Sequence, residues 1–179
     1  MTDFAGVSVL TTAFEDWDPA GEMFDAVLSC NAFHWIDPGL RFAKPAAVLV
    51  PGGHLIVLAT PWVIPGDADR FWWDIQDDYA AIGSERVDPA TKHPDRVTDI
   101  SAALLESGYF DRPVSRRYRF DVEFTTAGYL ANLATQSGVK RFEPGARREL
   151  LDRVRSRIEA RGGSIRAHLL ACLSIARLR

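Results

Sequence analysis

The sequence predicts an α/β fold with a parallel sheet, and three observations carry that prediction. Phe24–Cys30 is an apolar run of strand length, read as buried on both faces. It is followed by Asp37-Pro38, a good N-cap and first helical position, and by a helical apolar face at Leu40, Ala43, Ala46, Ala47 and Val50. A second apolar strand, His54–Thr60, then follows Pro51-Gly52-Gly53. Strand, helix and strand in that order make a βαβ unit, which requires a parallel pair and a right-handed crossover.

The remaining elements follow in chain order. Val7–Thr12 is β-branched and reads as a strand entered from Met1–Phe4; Ala13–Pro19 reads as a loop or a single helical turn closed by Pro19 and Gly21. Pro45, inside the first helix, removes a donor and predicts a kink. Asp67–Ile82 is an amphipathic helix with Phe71, Ile75, Tyr79 and Ile82 on one stripe, and Val97–Ser107 is a second, ending at Gly108. Val114–Phe124 alternates apolar residues with Ser115, Arg117, Arg119, Asp121 and Glu123, the pattern of an antiparallel strand with one wet face. Thr125–Gln136 and Pro144–Arg161 are helices, and Arg166–Arg177 reads as a closing strand.

The chain has 179 residues, 47% of them hydrophobic, and a formal charge of -3. That is enough for one domain with a core, so residues 1–179 are read as a single domain. No run has the length of a membrane span and no basic-then-apolar leader opens the chain, so no membrane partner is expected. Mild acidity argues against a nucleic-acid partner, and the arginines of the tail, interspersed with acids at helical spacing, read as a solvated face. Cys30 and Cys172 lie in apolar runs without metal-binding spacing and read as reduced core thiols of a cytoplasmic protein. No metal constellation, nucleophilic triad or phosphate loop stands out.

Phe24-Asp25-Ala26-Val27, His34-Trp35 and Leu49-Val50-Pro51-Gly52-Gly53-His54-Leu55 together, in this order and spacing, resemble the class I S-adenosylmethionine-dependent methyltransferases. The similarity is to the small-molecule subgroup with the trans-aconitate and quinone-pathway enzymes, and it runs from Val7 to the C-terminus. It implies a Rossmann-like methyltransferase sheet with an antiparallel C-terminal strand, S-adenosylmethionine as cofactor and a small-molecule acceptor. The family's opening strand, GxGxG turn and ribose-binding acid have no counterpart here, so the resemblance is to a partial domain, N-terminally truncated, starting at the family's third strand. The absent strands would lie beside Phe24–Cys30, which predicts exposed sheet edges and either self-association or a completing partner chain. The alternative to an active enzyme is a non-catalytic remnant, or a subunit whose cofactor site a partner completes.

The resemblance also assigns roles. Ala13 and Phe14, with Glu15 and Asp16 just beyond, match the loop that meets adenine; the two acids read equally as surface charges opening a helical turn. Asn31 and Ala32 match the backbone that faces the methionine end of the cofactor, against a strand-end asparagine satisfying its own backbone. His34 matches the position beside the acceptor, where a neutral imidazole takes a proton or holds a carboxylate, and is the candidate catalytic residue. Trp35, Trp62 and Trp72 are the candidate acceptor-binding residues, Trp35 reading also as an aromatic plug. His54 and His168 read as satisfied core histidines, and His93 as a loop residue.

Overall fold

The structure, a computed structural model, describes residues 6–179; the expected lead-in Met1–Phe4 lies outside the described residues. Five strands and six α-helices are described: β1 (Phe24–Cys30), α1 (Ala43–Val48), β2 (Leu49–Ala59), β3 (Trp62–Val63), α2 (Phe71–Ala81), α3 (Ser101–Glu106), β4 (Val114–Thr125), α4 (Thr126–Thr135), α5 (Ser137–Lys140), α6 (Pro144–Glu159) and β5 (Ser164–Arg177). Hydrogen bonding orders the strands β1-β2-β5-β3, with β4 on β5. β1 and β2 are parallel, as the βαβ reading requires, and β5 is a strand with β3 antiparallel to it. The fold is α/β.

The chain divides into two compact units. The first comprises the residues up to Ala59 with Asp99–Arg116 and Leu173–Arg179; the second comprises Thr60–Thr98 and Arg117–Cys172. The first unit closes around Phe33, Leu49, Leu55, Leu104 and Phe110, all buried. The second closes around Phe71, Leu133, Leu150, Val154 and Ile158, each without exposed surface. There α6 presents Leu150, Val154 and Ile158 at helical spacing to the core, as its sequence stripe predicts. Thr125 caps α4 by accepting from the Gly128 N–H. The second unit also holds a bidentate ion pair in which Arg157 donates to both oxygens of the buried Asp78, at 2.6 and 2.9 Å.

Several expectations are corrected. Val7–Thr12 forms no strand, and Val7, Val9 and Leu10 are exposed. A β-branched segment becomes a strand only against a partner, and none of the described strands pairs with it. β1 is a strand but is not buried on both faces: it ends the sheet order, and Leu28 is 60% exposed. The first helix shortens to Ala43–Val48, preceded by turns in which the Leu40 and Arg41 N–H groups bond to the Asp37 carbonyl. Pro45 falls in the first turn of that helix, where its missing N–H has no partner among the helix's own residues.

Pro51-Gly52-Gly53 does not stop the helix; it is part of β2. A step of two positions along β1 matches a step of five along β2 there, with Phe24 opposite Leu49 and Ala26 opposite His54, so the motif is a bulge. Gly52 has φ 78°, and a Cβ on Gly53 would meet the Asp25 and Val50 carbonyl oxygens at 3.0 Å. Both glycines are therefore demanded by the backbone. The long helices over 67–82 and 97–107 contract to α2 and α3, because the 67–70 and 97–100 segments are not helical. In β4 the nominally apolar face is open over Tyr118 and Phe120. Cys30 is exposed rather than a core thiol, whereas Cys172 is buried. His54 is exposed, since β2 turns Leu55 and Val57 inward and its other face outward.

Candidate functional site

The first unit holds a hollow of about 240 Å³ along the carboxyl-terminal half of β1. Its lining is mostly apolar, from Phe14, Val27, Leu28, Phe33, Ile36 and Leu55, with Ser29, Cys30 and Ala32 among the other lining residues. Ligands in open α/β sheets bind at this end of the strands. Phe14 is held in place from two sides: its ring stacks on Trp17 at 5.9 Å, and the Lys44 ammonium lies 5.5 Å from its centroid. Two residues matched to the cofactor by the sequence, Phe14 and Ala32, thus meet around one hollow. Ala13 serves the same turn through its carbonyl, which accepts from the Asp16 and Trp17 N–H groups.

Glu15 has a structural task. One carboxylate oxygen accepts from the Asp37 N–H at 2.9 Å, and its carbonyl accepts from the Lys44 ammonium at 2.7 Å. The Asp37 N–H foremost, and Lys44 to a smaller degree, hold the Glu15 carboxyl below its ordinary value. The surface-charge reading of Glu15 therefore becomes a tie between the 13–17 turn and the entry to α1. That tie has no short-range sequence signature, because its partner is 22 residues away.

Asn31 ends β1 in the left-handed region, φ 52°, with its N–H donating to the Leu58 carbonyl at 2.8 Å. Asparagine is among the few residues that tolerate that conformation, which turns the chain sharply out of the strand. The turn leads into a 3-10 segment, Phe33–Trp35, that buries Phe33 and leaves His34 and Trp35 exposed, their rings 4.9 Å apart. Trp35, 64% exposed, is no plug; Phe33 fills that role against Phe42. The alternation of buried Phe33 with outward His34 and Trp35 is what makes the loop a presenting surface.

Trp62 and Trp72 belong to the second unit and to its core. Trp72 is buried and its indole N–H donates to the Arg166 carbonyl; Trp62 stacks on Phe124 and meets Trp72 and Tyr129 edge-on. With its donor satisfied and its ring enclosed, Trp72 is a packing residue. Burial raises the Tyr79 hydroxyl above its ordinary value and pushes that of Tyr129 well above it. His168 is buried in the same unit, its Nδ1 2.7 Å from the Asp121 carboxylate, and that bond holds the Asp121 carboxyl down. Among the described residues no group of three metal-ligating side chains is found, and no helix is long and apolar enough to cross a membrane.

Neither a scan against family models nor a comparison with curated proteins gives a match. Solved structures do match. A protein from Anaeromyxobacter dehalogenans, provisionally assigned as a type II methyltransferase, superposes at TM-score 0.53 over 87% of this chain with 16% identity. The two share a Rossmann-like α/β fold. A provisionally assigned methyltransferase of Bacillus halodurans C-125 matches over the same share of the chain, at TM-score 0.43 and 16% identity. This chain spans 65% of the Anaeromyxobacter protein and 70% of the Bacillus one.

The hollow fits part of the cofactor that such a fold implies. Its walls suit an apolar, planar group, but drug-sized ligands occupy roughly 300–1,000 Å³, more than the volume here. The neighbouring carboxylate already accepts a backbone N–H. The described residues of the first unit do not by themselves enclose the whole molecule.

Proposed function

We infer that this chain belongs to an S-adenosylmethionine-dependent methyltransferase acting on a small-molecule acceptor. The observation that carries the reading is the sharp turn at Asn31, which ends a parallel strand beside an apolar hollow and presents His34 and Trp35 to solvent. S-adenosylmethionine, when bound, supplies an activated methyl group. Phe14 and Ala32 would flank it, and Asn31 would set the backbone at its methionine end. His34 would stand as the base or the anion holder for the acceptor, with Trp35 as a face against which the acceptor packs.

A second reading, a subunit whose cofactor site needs completion by another chain, is favoured by one observation. The hollow is smaller than the cofactor and lies along β1, a strand at the end of the sheet order.

Calorimetric titration of the 179-residue chain with S-adenosylmethionine and S-adenosylhomocysteine separates the two. Micromolar binding that Phe14→Ala weakens on the order of tenfold or more supports the enzyme reading, with His34→Ala then tested for loss of turnover at unchanged cofactor affinity. Absence of heat from a folded sample favours the incomplete subunit.

A further inference from the structure

The outer strand β4 carries a charge pattern complementary to itself. It pairs only β5 among the described strands, and every residue from Arg116 to Asp121 is exposed. A long open edge of this kind is a template for a further strand. Tyr118, 58% exposed, and Phe120, 42% exposed, lie on one face of it. Arg117, Arg119, Asp121 and Glu123 lie on the other, two cations followed by two anions at strand spacing.

We propose that β4 is a homodimer interface in which two copies join their sheets by antiparallel β4–β4 pairing centred on Phe120. In that register Arg117 faces the partner's Glu123 and Arg119 faces the partner's Asp121, and the two-fold axis repeats both pairs. Four opposite-charge pairs form and no like charges meet. On the other face Phe120 meets its own copy, and Tyr118 meets the partner's Val122. Aromatic and β-branched cross-strand pairs are favourable in this arrangement.

Other registers are worse by charge alone. Centring on Arg119 or on Asp121 sets that residue against itself and keeps only two attractive pairs. Centring on Tyr118 sets Arg117 against the partner's Arg119, and centring on Val122 sets Asp121 against the partner's Glu123. Parallel, in-register pairing sets every charge against its own kind. The pattern therefore specifies both orientation and register.

Three of the four charges have hydrogen-bond partners within the chain, and none is spent by them. Arg117 donates to the Pro94 carbonyl, Asp121 accepts from His168 Nδ1, and Glu123 accepts from the Ser164 hydroxyl at 3.2 Å. A guanidinium carries five donors and a carboxylate about four acceptor sites, so each retains capacity toward a copy. These contacts also fix the side chains before association, which lowers the ordering cost.

Sedimentation equilibrium of the full chain at micromolar concentrations tests this. The expected result is a species of twice 19.9 kDa. Arg117→Glu and Glu123→Arg, each alone, should weaken it on the order of tenfold or more, because symmetry turns two attractive pairs repulsive. The double exchange Arg117→Glu with Glu123→Arg restores opposite charges and should recover the dimer. That recovery also excludes misfolding as the cause of the single-variant losses. A monomer throughout, or a dimer indifferent to the single reversals and so seated elsewhere, such as on β1, would overturn the proposal.

Discussion

The two units spend their apolar residues differently. In the second, aromatic and aliphatic side chains converge: Phe71, Trp72 and Tyr129 pack edge to face, with Leu133, Leu150 and Ile158 fully covered behind them. Its buried anion, Asp78, is matched by a bidentate arginine. In the first, a small core around Phe33, Leu55 and Phe110 coexists with apolar residues left in water, namely Val7, Val9, Leu10 and Leu28. The hollow and the left-handed Asn31 both belong to this first unit. The helical core of the second unit closes on itself, although Tyr118 and Phe120 of β4 stay exposed, while the first unit keeps a strand face and a loop open. Sites that take ligands are drawn from surfaces of the latter sort, because a filled core has no room for them.

Three substitutions break or sharpen this contrast. Phe71→Ala removes a ring with no exposed surface from the second core and should cost about 3–5 kcal/mol in urea unfolding; a cost under ~1 kcal/mol would mean that core is not closed. Glu15→Gln acts through charge instead. The folded Glu15 carboxyl lies below its ordinary 4.5, so the folded state binds fewer protons than the unfolded one. Its contribution is therefore present above pH 4.5 and is lost as pH falls through the lowered folded value. The wild type should lose thermal stability across that window more steeply than Glu15→Gln. Parallel Tm–pH curves for the two proteins would remove the tie from 13–17 to Asp37. Smallest is Leu28→Thr, at a site 60% exposed on β1. A loss within about 0.5 kcal/mol is expected, and a larger one would show that the β1 face is covered.

Much of the fold is legible in local pattern. The stripe Leu150, Val154 and Ile158 marks α6, the alternation after Val114 marks β4, and Gly162-Gly163 with the apolar run behind them marks β5. Each depends on a period of 3.6 or 2 written into neighbouring residues. The candidate site was half legible. Asn31 and His34 are visible as residue types at a strand end and Phe14 through the resemblance, but the engagement of Glu15 by Asp37 is not, since nothing within the turn records a partner 22 positions on.

The sequence by itself determined most of the longer elements, the parallel β1–β2 pair and the loop after Cys30, because periodicity and capping act over a few residues. Only the tertiary structure decided which apolar stretches would be covered. Val7–Thr12 and Phe24–Cys30 have strand composition alike, yet one pairs and the other does not, and even the paired strand keeps a face in water. The Pro51-Gly52-Gly53 motif reads locally as a helix stop and becomes a bulge because β1 and the end of β5 meet it, the Leu178 N–H donating to the Gly53 carbonyl at 2.8 Å. Burial and pairing are properties of what the rest of the chain brings alongside a segment, and no window of neighbouring residues contains that information.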